Sequence, residues 1–423
     1  GSAPSCGQML PPSSSIWRHV PGYDSDDGSD EDEEEAAEAA DARRRLRDIL
    51  AALGDRAPEP PLVEFWPAEP RQGKASGGSK GSDASPTRRA ADRERQDKGR
   101  ASAFPSASGS GPPPRFRMER MLAPVVHETF VSNGLLEAQG AADWCIQWAG
   151  PGMKDSAYME LHEYQRVNHF PGSTELTRKD SMFHHLNGMA RHFGRDSFDF
   201  LPETYVMPEQ MEDFMAEYER EGGLWIVKPK NAACGKGIHL LRSIKDMPSG
   251  PCVVSRYVDN PLLIQGLKFD LRVYVLVTQY DPLRAYVYRE GLARFASAPY
   301  STEERHLQDA YRHLTNYSIN KSAPNFTENQ ELMADNYGHK WSLSALNRHL
   351  QAVGVDERLM WSRIMDLIVK TLLAVEPCIG SNTRRVTTHQ GVCFEIYGFD
   401  VLVDDELKPW ILEVNLSPSM QAE

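Results

Sequence analysis

Residues 394–420 read F-E-I-Y-G-F-D-V-L-V-D-D-E-L-K-P-W-I-L-E-V-N-L-S-P-S-M, and the fold turns on this stretch. Residues 396–403 and 410–416 are rich in β-branched and aromatic side chains, which favour a pleated strand. Asp404, Asp405 and Glu406 between them are turn formers with little to bury. The pattern predicts an antiparallel hairpin. Its oddity is three oxygen-bearing side chains among apolar ones: Asp400 in the first strand, Glu413 and Asn415 in the second. Alternate residues of a strand share a face, so Glu413 and Asn415 point the same way. Folding near Glu406 brings Asp400 opposite Leu412 or Glu413. Two carboxylates buried together repel, and a divalent cation relieves that repulsion. Asp, Glu and Asn oxygens suit magnesium, which with few protein ligands usually also holds phosphates. A solvated hairpin face, or a carboxylate pair met by an arginine, is the plainer alternative.

Working outward, the 423 residues carry a formal charge of −13. Such a balance argues against a general nucleic-acid binder, although a local basic face stays open. Cys6, Cys145, Cys234, Cys252, Cys378 and Cys393 form no C-x-x-C pair, the pattern of reduced thiols and not of a disulfide framework or zinc site. No signal peptide and no apolar run long enough to span a membrane stands out. The chain opens on Gly-Ser and stops just after Ser417-Pro418-Ser419, which reads as a piece of a longer protein. Residues 1–117 read as a disordered region. Within them are an acidic run over 24–35, a short helix over 35–53, and a basic Gly/Ser/Pro-rich linker over 71–114. Order is expected from near Met118. Residues 125–136 suit either a strand or a helix, 142–148 a strand, and 175–192 a helix entered through E-L-T-R-K-D. Residues 198–206 suit a strand and 208–221 an acidic amphipathic helix.

Residues 225–241, W-I-V-K-P-K-N-A-A-C-G-K-G-I-H-L-L, read as strand, small-residue loop, strand. Gly235 and Gly237 let a backbone approach an anion closely, and Lys228, Lys230 and Lys236 add charge. This is neither a P-loop nor a dinucleotide fingerprint, and by itself it is as well read as an ordinary Gly-rich hairpin. Residues 252–258 form the next strand. In K-F-D-L-R-V-Y-V-L-V-T (268–278), Lys268, Asp270, Arg272 and Tyr274 share one face, opposite Phe269, Leu271, Val273 and Val275. That face either is half-solvated or lines a nucleotide. Residues 285–296 return with Arg289, Glu290 and Arg294, and H-L-T-N-Y-S-I-N-K (313–321) follows. Helices over 342–350 and 359–374 read as scaffold.

Five segments in this order carry a resemblance: W-I-V-K-P with its Gly loop, K-F-D-L-R-V-Y-V, R-E-G-L-A-R-F, H-L-T-N-Y-S-I-N-K, and F-D-V-L-V-D followed by W-I-L-E-V-N-L-S-P-S. Residues 125–423 resemble the tubulin–tyrosine ligase-like family of ATP-grasp enzymes, and V-N-H-F-P-G-S with E-L-T-R-K-D is more similar to its polyglutamylase branch. The resemblance implies an α/β (α+β) ATP-grasp fold in three subdomains: N-terminal (118–177), central (178–257) and C-terminal (258–423). It also implies ATP and Mg2+ as cofactors. Lys228 and the loop residues Gly235, Lys236 and Gly237 would face the phosphates. Ser255, Arg256, Tyr257 and Val258 would meet the adenine through backbone groups, and Lys268 and Asp270 would sit near ribose and adenine. Thr315, Asn316 and Lys321 would line the site. Asp400, Glu413 and Asn415 would hold magnesium, and Lys179, Arg272 and Arg294 would grip the γ-phosphate, an acyl-phosphate or the incoming amino acid. The activity implied is ATP-dependent ligation of free glutamate to glutamate γ-carboxylates in tubulin C-terminal tails. The implied setting is a monomer on microtubules in the cytoplasm, including cilium and basal body, with no nucleic-acid or membrane partner. Cys234 departs from the Arg or Lys that relatives carry before Gly-x-Gly. A glycine or tyrosine ligase, an inactive adaptor binding ATP and microtubules, and a small-molecule ligase on the same scaffold are the alternatives.

Overall fold

The computed structural model describes residues 113–119, 121, 123–140, 143–230, 235–241, 243–327 and 337–420. The acidic run, the short helix over 35–53, nearly all of the basic linker and Cys234 lie outside the described residues. The first sheet comprises β1 (Arg115–Glu119), β2 (Leu136–Glu137), β3 (Ile146–Ala149) and β4 (Arg166–Val167), with α1 (Pro124–Ser132) and α2 (Asp155–Met159) between them. Its strands are parallel in the order β2-β1-β3-β4. Strand β1 starts before Met118, inside the stretch read as disordered. Phe116 is the reason: it is fully buried and its ring packs on Phe130 and His127. Residues 125–136, equally suited to strand and helix, supply both. Pro124 opens α1, where a missing N–H costs nothing, and β2 follows.

Next come α3 (Thr174–Thr177) and α4 (Lys179–Phe193), then β5 (Thr204–Met207), α5 (Met211–Glu221), β6 (Trp225–Pro229), β7 (His239–Leu241) and β8 (Cys252–Arg256). The strands form an antiparallel sheet in the order β5-β8-β6-β7. Phe214 of α5 seals one face against Trp225, Val227 and Val254. The strand expected over 198–206 is shorter than that. Phe198 and Phe200 pack into a different core, shared by α4 and the large sheet, so their segment turns away before β5 begins.

The large sheet runs β12 (Lys340–Ser342), β11 (Leu283–Phe295), β10 (Leu267–Tyr280), β13 (Glu395–Val403), β14 (Pro409–Leu416), with β9 (Leu263–Ile264) paired to β10. β11 leads to α6 (Ala310–His313), α7 (Tyr317–Asn320) and β12. Then α8 (Leu343–Ala352) and α9 (Glu357–Val386) precede the hairpin of β13 and β14. Phe269, Leu271, Val273, Val275 and Val277 of β10 are each at most 1% exposed. They lie in one apolar core with Ile364, Leu367, Ile368, Leu372, Val375 and Ile379 of α9. Side-chain caps start both late helices, Ser342 accepting from Ala345 N (3.1 Å) and Asp356 from Leu359 N (3.0 Å). Helix α9 runs past the expected Ala374 and through Pro377, because its buried stripe continues with Cys378 and Ile379. Burial of that stripe outweighs the one backbone bond that proline removes.

A buried polar knot ties the first sheet to β13. His169 Nδ1 lies 2.5 Å from Glu395 Oε1, and its Nε2 lies 2.9 Å from the Ala149 carbonyl. Phe170 N and the Tyr397 hydroxyl both donate to Glu395 Oε2 (3.1 and 2.8 Å). Two sequence readings need correction. Asp404 is not a turn residue with little to bury: it is 3% exposed and accepts from Glu406 N, Lys408 N and Trp410 Nε1. Its carboxylate closes the hairpin by satisfying the turn's donors. Cys145, Cys252 and Cys393 are free thiols, whereas Cys378 is disulfide-bonded, a departure from thiols throughout. No helix among the described residues is long and apolar enough to cross a membrane.

Candidate active site

Register builds the site. Asp400 stands opposite Glu413 across β13 and β14, and opposite Arg272 across β13 and β10; Asp270 stands opposite Arg294 across β10 and β11. The open question of Leu412 or Glu413 is settled by a bulge, since Val401 already pairs with Ile411 and Leu412 is the extra residue. Ile411 and Val414 are both buried although three residues apart, which a regular strand does not allow. The bulge turns Glu413 and Asn415 onto the polar face while both apolar residues keep to the core.

On that face the charges are closely tied. Arg272 donates through Nε to Asp400 Oδ1 (2.5 Å) and through Nη2 to Oδ2 (3.1 Å). Its stem crosses β13 at Gly398, where an added Cβ would stand 3.0 Å from Arg272 Cδ and 2.8 Å from Pro418 Cβ. Arg294 grips Asp270 with Nε (2.8 Å) and Nη2, and reaches Asp400 Oδ2 at 2.9 Å. Asn415 Nδ2 donates to Asp400 Oδ2 (3.2 Å) and to the Gly398 carbonyl (3.3 Å), so its oxygen is left for another partner. Lys179, the first residue of α4, places Nζ 2.7 Å from Glu413 Oε2. Burial alone would raise the Asp400 pKa; Arg294 and Arg272 outweigh it and hold the carboxyl at about 2.

The central sheet supplies the other wall. Lys228 of β6 is 7% exposed, its ammonium makes no hydrogen bond or ion pair among the described residues, and it has Glu413, Lys179 and Asp400 as its charged neighbours. Lys268 donates to the Tyr257 hydroxyl (2.9 Å) and lies 4.2 Å from that ring's centroid. The Tyr257 hydroxyl is also 2.9 Å from His313 Nδ1. His313 Nε2 must donate to the His306 carbonyl (3.1 Å), so Nδ1 accepts and Tyr257 donates to it. Burial lowers Lys228 to about 8 and Lys268 to about 7.

The sign of the resulting pH dependence follows from linkage. Between about 7 and the ordinary lysine value of 10.5 the unfolded chain binds more protons at Lys268 than the folded one. Stability therefore rises with pH across that window, and below it the cost of the buried charge is fully in force. Thermal melts of the ligand-free chain from pH 7 to pH 9 are expected to climb, and Lys268→Met should flatten the climb. An identical slope in the variant would remove Lys268 as its source.

The other expected site residues divide. Gly235 (φ +76°) and Gly237 (φ +72°) adopt the left-handed conformation that glycine permits. An added Cβ at Gly235 would lie 2.5 Å from Ile319 Cδ1 and 2.8 Å from Asn316 Oδ1, so the loop rests directly on α7 and its preceding residue. Thr315 is buried. Lys236 and Lys321 are exposed, and Lys321 approaches only the Tyr317 ring, at 5.8 Å among the described contacts; neither joins the buried cluster. Ser255 is sealed in the sheet, donating to Thr204 Oγ1 at 3.0 Å while that hydroxyl donates to the Pro202 carbonyl. Arg256 turns away from the cluster: it bonds Glu203, Glu217 and Glu221 and covers the Trp225 ring. Those three glutamates form the one group of three or more His, Cys, Asp or Glu side chains found within 4.8 Å of one another among the described residues, and Arg256 and Arg220 already pair with it. The N–H groups of Arg256 and Tyr257 bond Glu203 O and Leu224 O. Lys230, one of the three lysines that add charge around the Gly loop, is held by Asp180 (3.5 Å) and Glu209 (3.8 Å). His313 and Asn320 do not stand out in the sequence, although both sit in H-L-T-N-Y-S-I-N-K.

Two carboxylates and a free amide oxygen on one sheet face, already neutralised by Lys179, Arg272 and Arg294, have the donor chemistry for a magnesium ion. Lys228, buried on the central sheet, suits a phosphate. The model of the tubulin-tyrosine ligase family matches residues 157–423, more than half of the chain. The chain belongs to the tubulin–tyrosine ligase family. Within the family, it is 39% identical over 310 residues to a mouse protein, "Tubulin polyglutamylase TTLL5", a match covering 73% of this chain and 23% of that one. A Caenorhabditis elegans relative, "Tubulin polyglutamylase ttll-5", is 42% identical over 324 residues, covering 73% and 44%. The human "Tubulin monoglutamylase TTLL4" is 38% identical over 310 residues, covering 73% and 26%. The chain thus spans from about a quarter to under half the length of these relatives.

Proposed function

We propose that this chain is a tubulin polyglutamylase that uses ATP and magnesium to join free glutamate to glutamate γ-carboxylates of tubulin C-terminal tails. The observation that carries the reading is the facing of Asp400, Glu413 and Asn415 with Lys179, Arg272, Arg294 and Lys228 in one cluster. A family of tubulin ligases and relatives named for glutamylation supply the substrate class. A carboxylate must gain a leaving group before an amine can displace it, and a bound nucleotide with its metal supplies that phosphoryl group. What the chain contributes is positioning and charge. Lys228 would hold phosphate from the central-sheet side, and Lys268, on β10 of the large sheet, would sit near the ribose and adenine. Arg272 and Arg294 keep Asp400 ionised, and their guanidiniums would stabilise charge on a transferred phosphoryl group. Lys179, once its bond to Glu413 is exchanged, offers an ammonium to the same oxygens. Arg178, Lys230 and Arg385, each paired with an acid of the same wall, line a cavity of about 2040 Å³ that also reaches Tyr257 and Val258.

Incorporation of labelled glutamate, glycine and tyrosine into microtubules, with ATP and magnesium, tests the reading. Glutamate uptake is expected, and Lys228→Ala should reduce it by at least about a hundredfold, since the phosphate loses a desolvated cation. Uptake of another amino acid would move the chain to a different branch of the family. No uptake, with nucleotide still bound, would favour the adaptor reading.

A further inference from the structure

The Gly loop has a built support that has no signature in the sequence. Asn320, the last residue of α7, is 1% exposed, and its amide makes four hydrogen bonds. Oδ1 accepts from Ser297 N (2.8 Å) and Ser297 Oγ (2.7 Å). Nδ2 donates to the carbonyls of Leu314 (2.7 Å) and Asn316 (3.1 Å). Two acceptor sites and two donors are all that a carboxamide has, so the group is saturated. Its four bonds join the residue after Ala296, two beyond the end of β11, to the backbone on either side of Thr315. That strand carries Arg294, and the turn carries Asn316, whose side chain with Ile319 meets Gly235.

We infer that Asn320 is a positioning residue for nucleotide binding: it locks the Leu314–Asn316 turn to β11 and so sets the height of the platform on which Gly235 rests. The inference rests on the proposed nucleotide site. Asn320 meets the proposed site only at the Asn316 backbone, whose carbonyl its Nδ2 bonds. Its effect passes through the Asn316 side chain, and the acid–base and charged groups around Asp400 are untouched by it. Nucleotide affinity should depend on Asn320 while the chemical step does not, because Arg294 keeps its own bonds to Asp270 and Asp400.

The test begins with the unaltered chain, whose ATP affinity is measured by titration with magnesium present. Asn320→Asp keeps the shape and the acceptors but loses the amide donors and sets an anion against two carbonyls. It is expected to raise KM for ATP about tenfold with kcat within about threefold, a loss of one to two hydrogen bonds. Ser297→Ala removes one bond and leaves the turn intact; it should raise KM about threefold, and it serves if the aspartate variant does not fold. In an Asn316→Ala background the Asn320→Asp change should have no further effect on KM, since its route is gone. Unchanged KM in both single variants, or additive losses in the double variant, overturns the positioning role. A chain that binds no ATP at all overturns the nucleotide reading, and this inference with it, a result distinct from either of those.

Discussion

Glu413→Gln is expected to lower glutamate ligation by at least about a hundredfold while leaving the chain folded. The substitution is nearly isosteric. The Glu413 side chain is 23% exposed, and the ion pair it makes is with Lys179. Losing a partly exposed ion pair costs little stability, on the order of 1 kcal/mol. The catalytic loss is larger for a separate reason. Glu413 brings one of the two carboxylates of the proposed donor set toward a cation, and an amide oxygen there contributes no charge. Lys179 would also lack the anion that now orients it. The check is labelled-glutamate turnover beside a thermal melt of the same preparation. A folded variant with normal turnover would falsify the metal assignment at β13 and β14.

Arg294→Met should act in the opposite way, chiefly on stability. Arg294 is 8% exposed and binds both Asp270 and Asp400, which are each 2% exposed. Its removal leaves Asp270 as a buried carboxylate without its cation and takes one of two guanidiniums from Asp400. Breaking such a pair from one side costs about 3–5 kcal/mol, a fall in melting temperature on the order of 10 °C for a domain of this size. Adding Asp270→Asn to Arg294→Met removes the stranded charge and should recover part of the loss. A melt within a degree or two of the unaltered chain would mean that Asp270 finds another cation or is protonated at little cost. Glutamate ligation is expected to fall in both variants, since Asp400 then keeps Arg272 and the Asn415 amide but has lost one of its two guanidiniums.

Much of this site is legible in the order of the amino acids, because strand alternation is local. The period of two in residues 268–275 is enough to put Lys268, Asp270 and Arg272 on one face, and the same rule groups Glu413 with Asn415. The apolar runs on either side of residues 404–406 likewise demand a hairpin, whatever packs beneath it. Where local rules are weak, the sequence misleads. Asp404 reads as a solvated turn residue because acids usually are, yet it closes the turn from inside. Adjacency groups Arg256 with Tyr257, but a strand sends neighbours to opposite faces, and it is Tyr257 that reaches Lys268. Motif alone places Lys236 and Lys321 in the site, and both are exposed. His313 and Asn320 escape notice because a buried histidine or asparagine has no periodic signature; only its partners reveal its role.

By itself, then, the sequence determined the hairpin, the polar face of β10, the Gly loop between two strands and the inventory of charges. Tertiary structure alone decided which carboxylate meets which cation. Arg272 could have paired with Asp270 or Asp400, and the β10–β13 register with the cleared backbone at Gly398 sends it to Asp400. The bulge at Leu412 chose Glu413 as the cross-strand partner. The start of α4 brought Lys179 onto Glu413, and Asn320 fastened the turn under the Gly loop. The physical reason is range. Alternation and turn chemistry act over a few residues and are written in the local order of the chain. Register and salt-bridge partners are set by how segments far apart in sequence close on a shared core, where a shift of one residue would turn every charge to the other face.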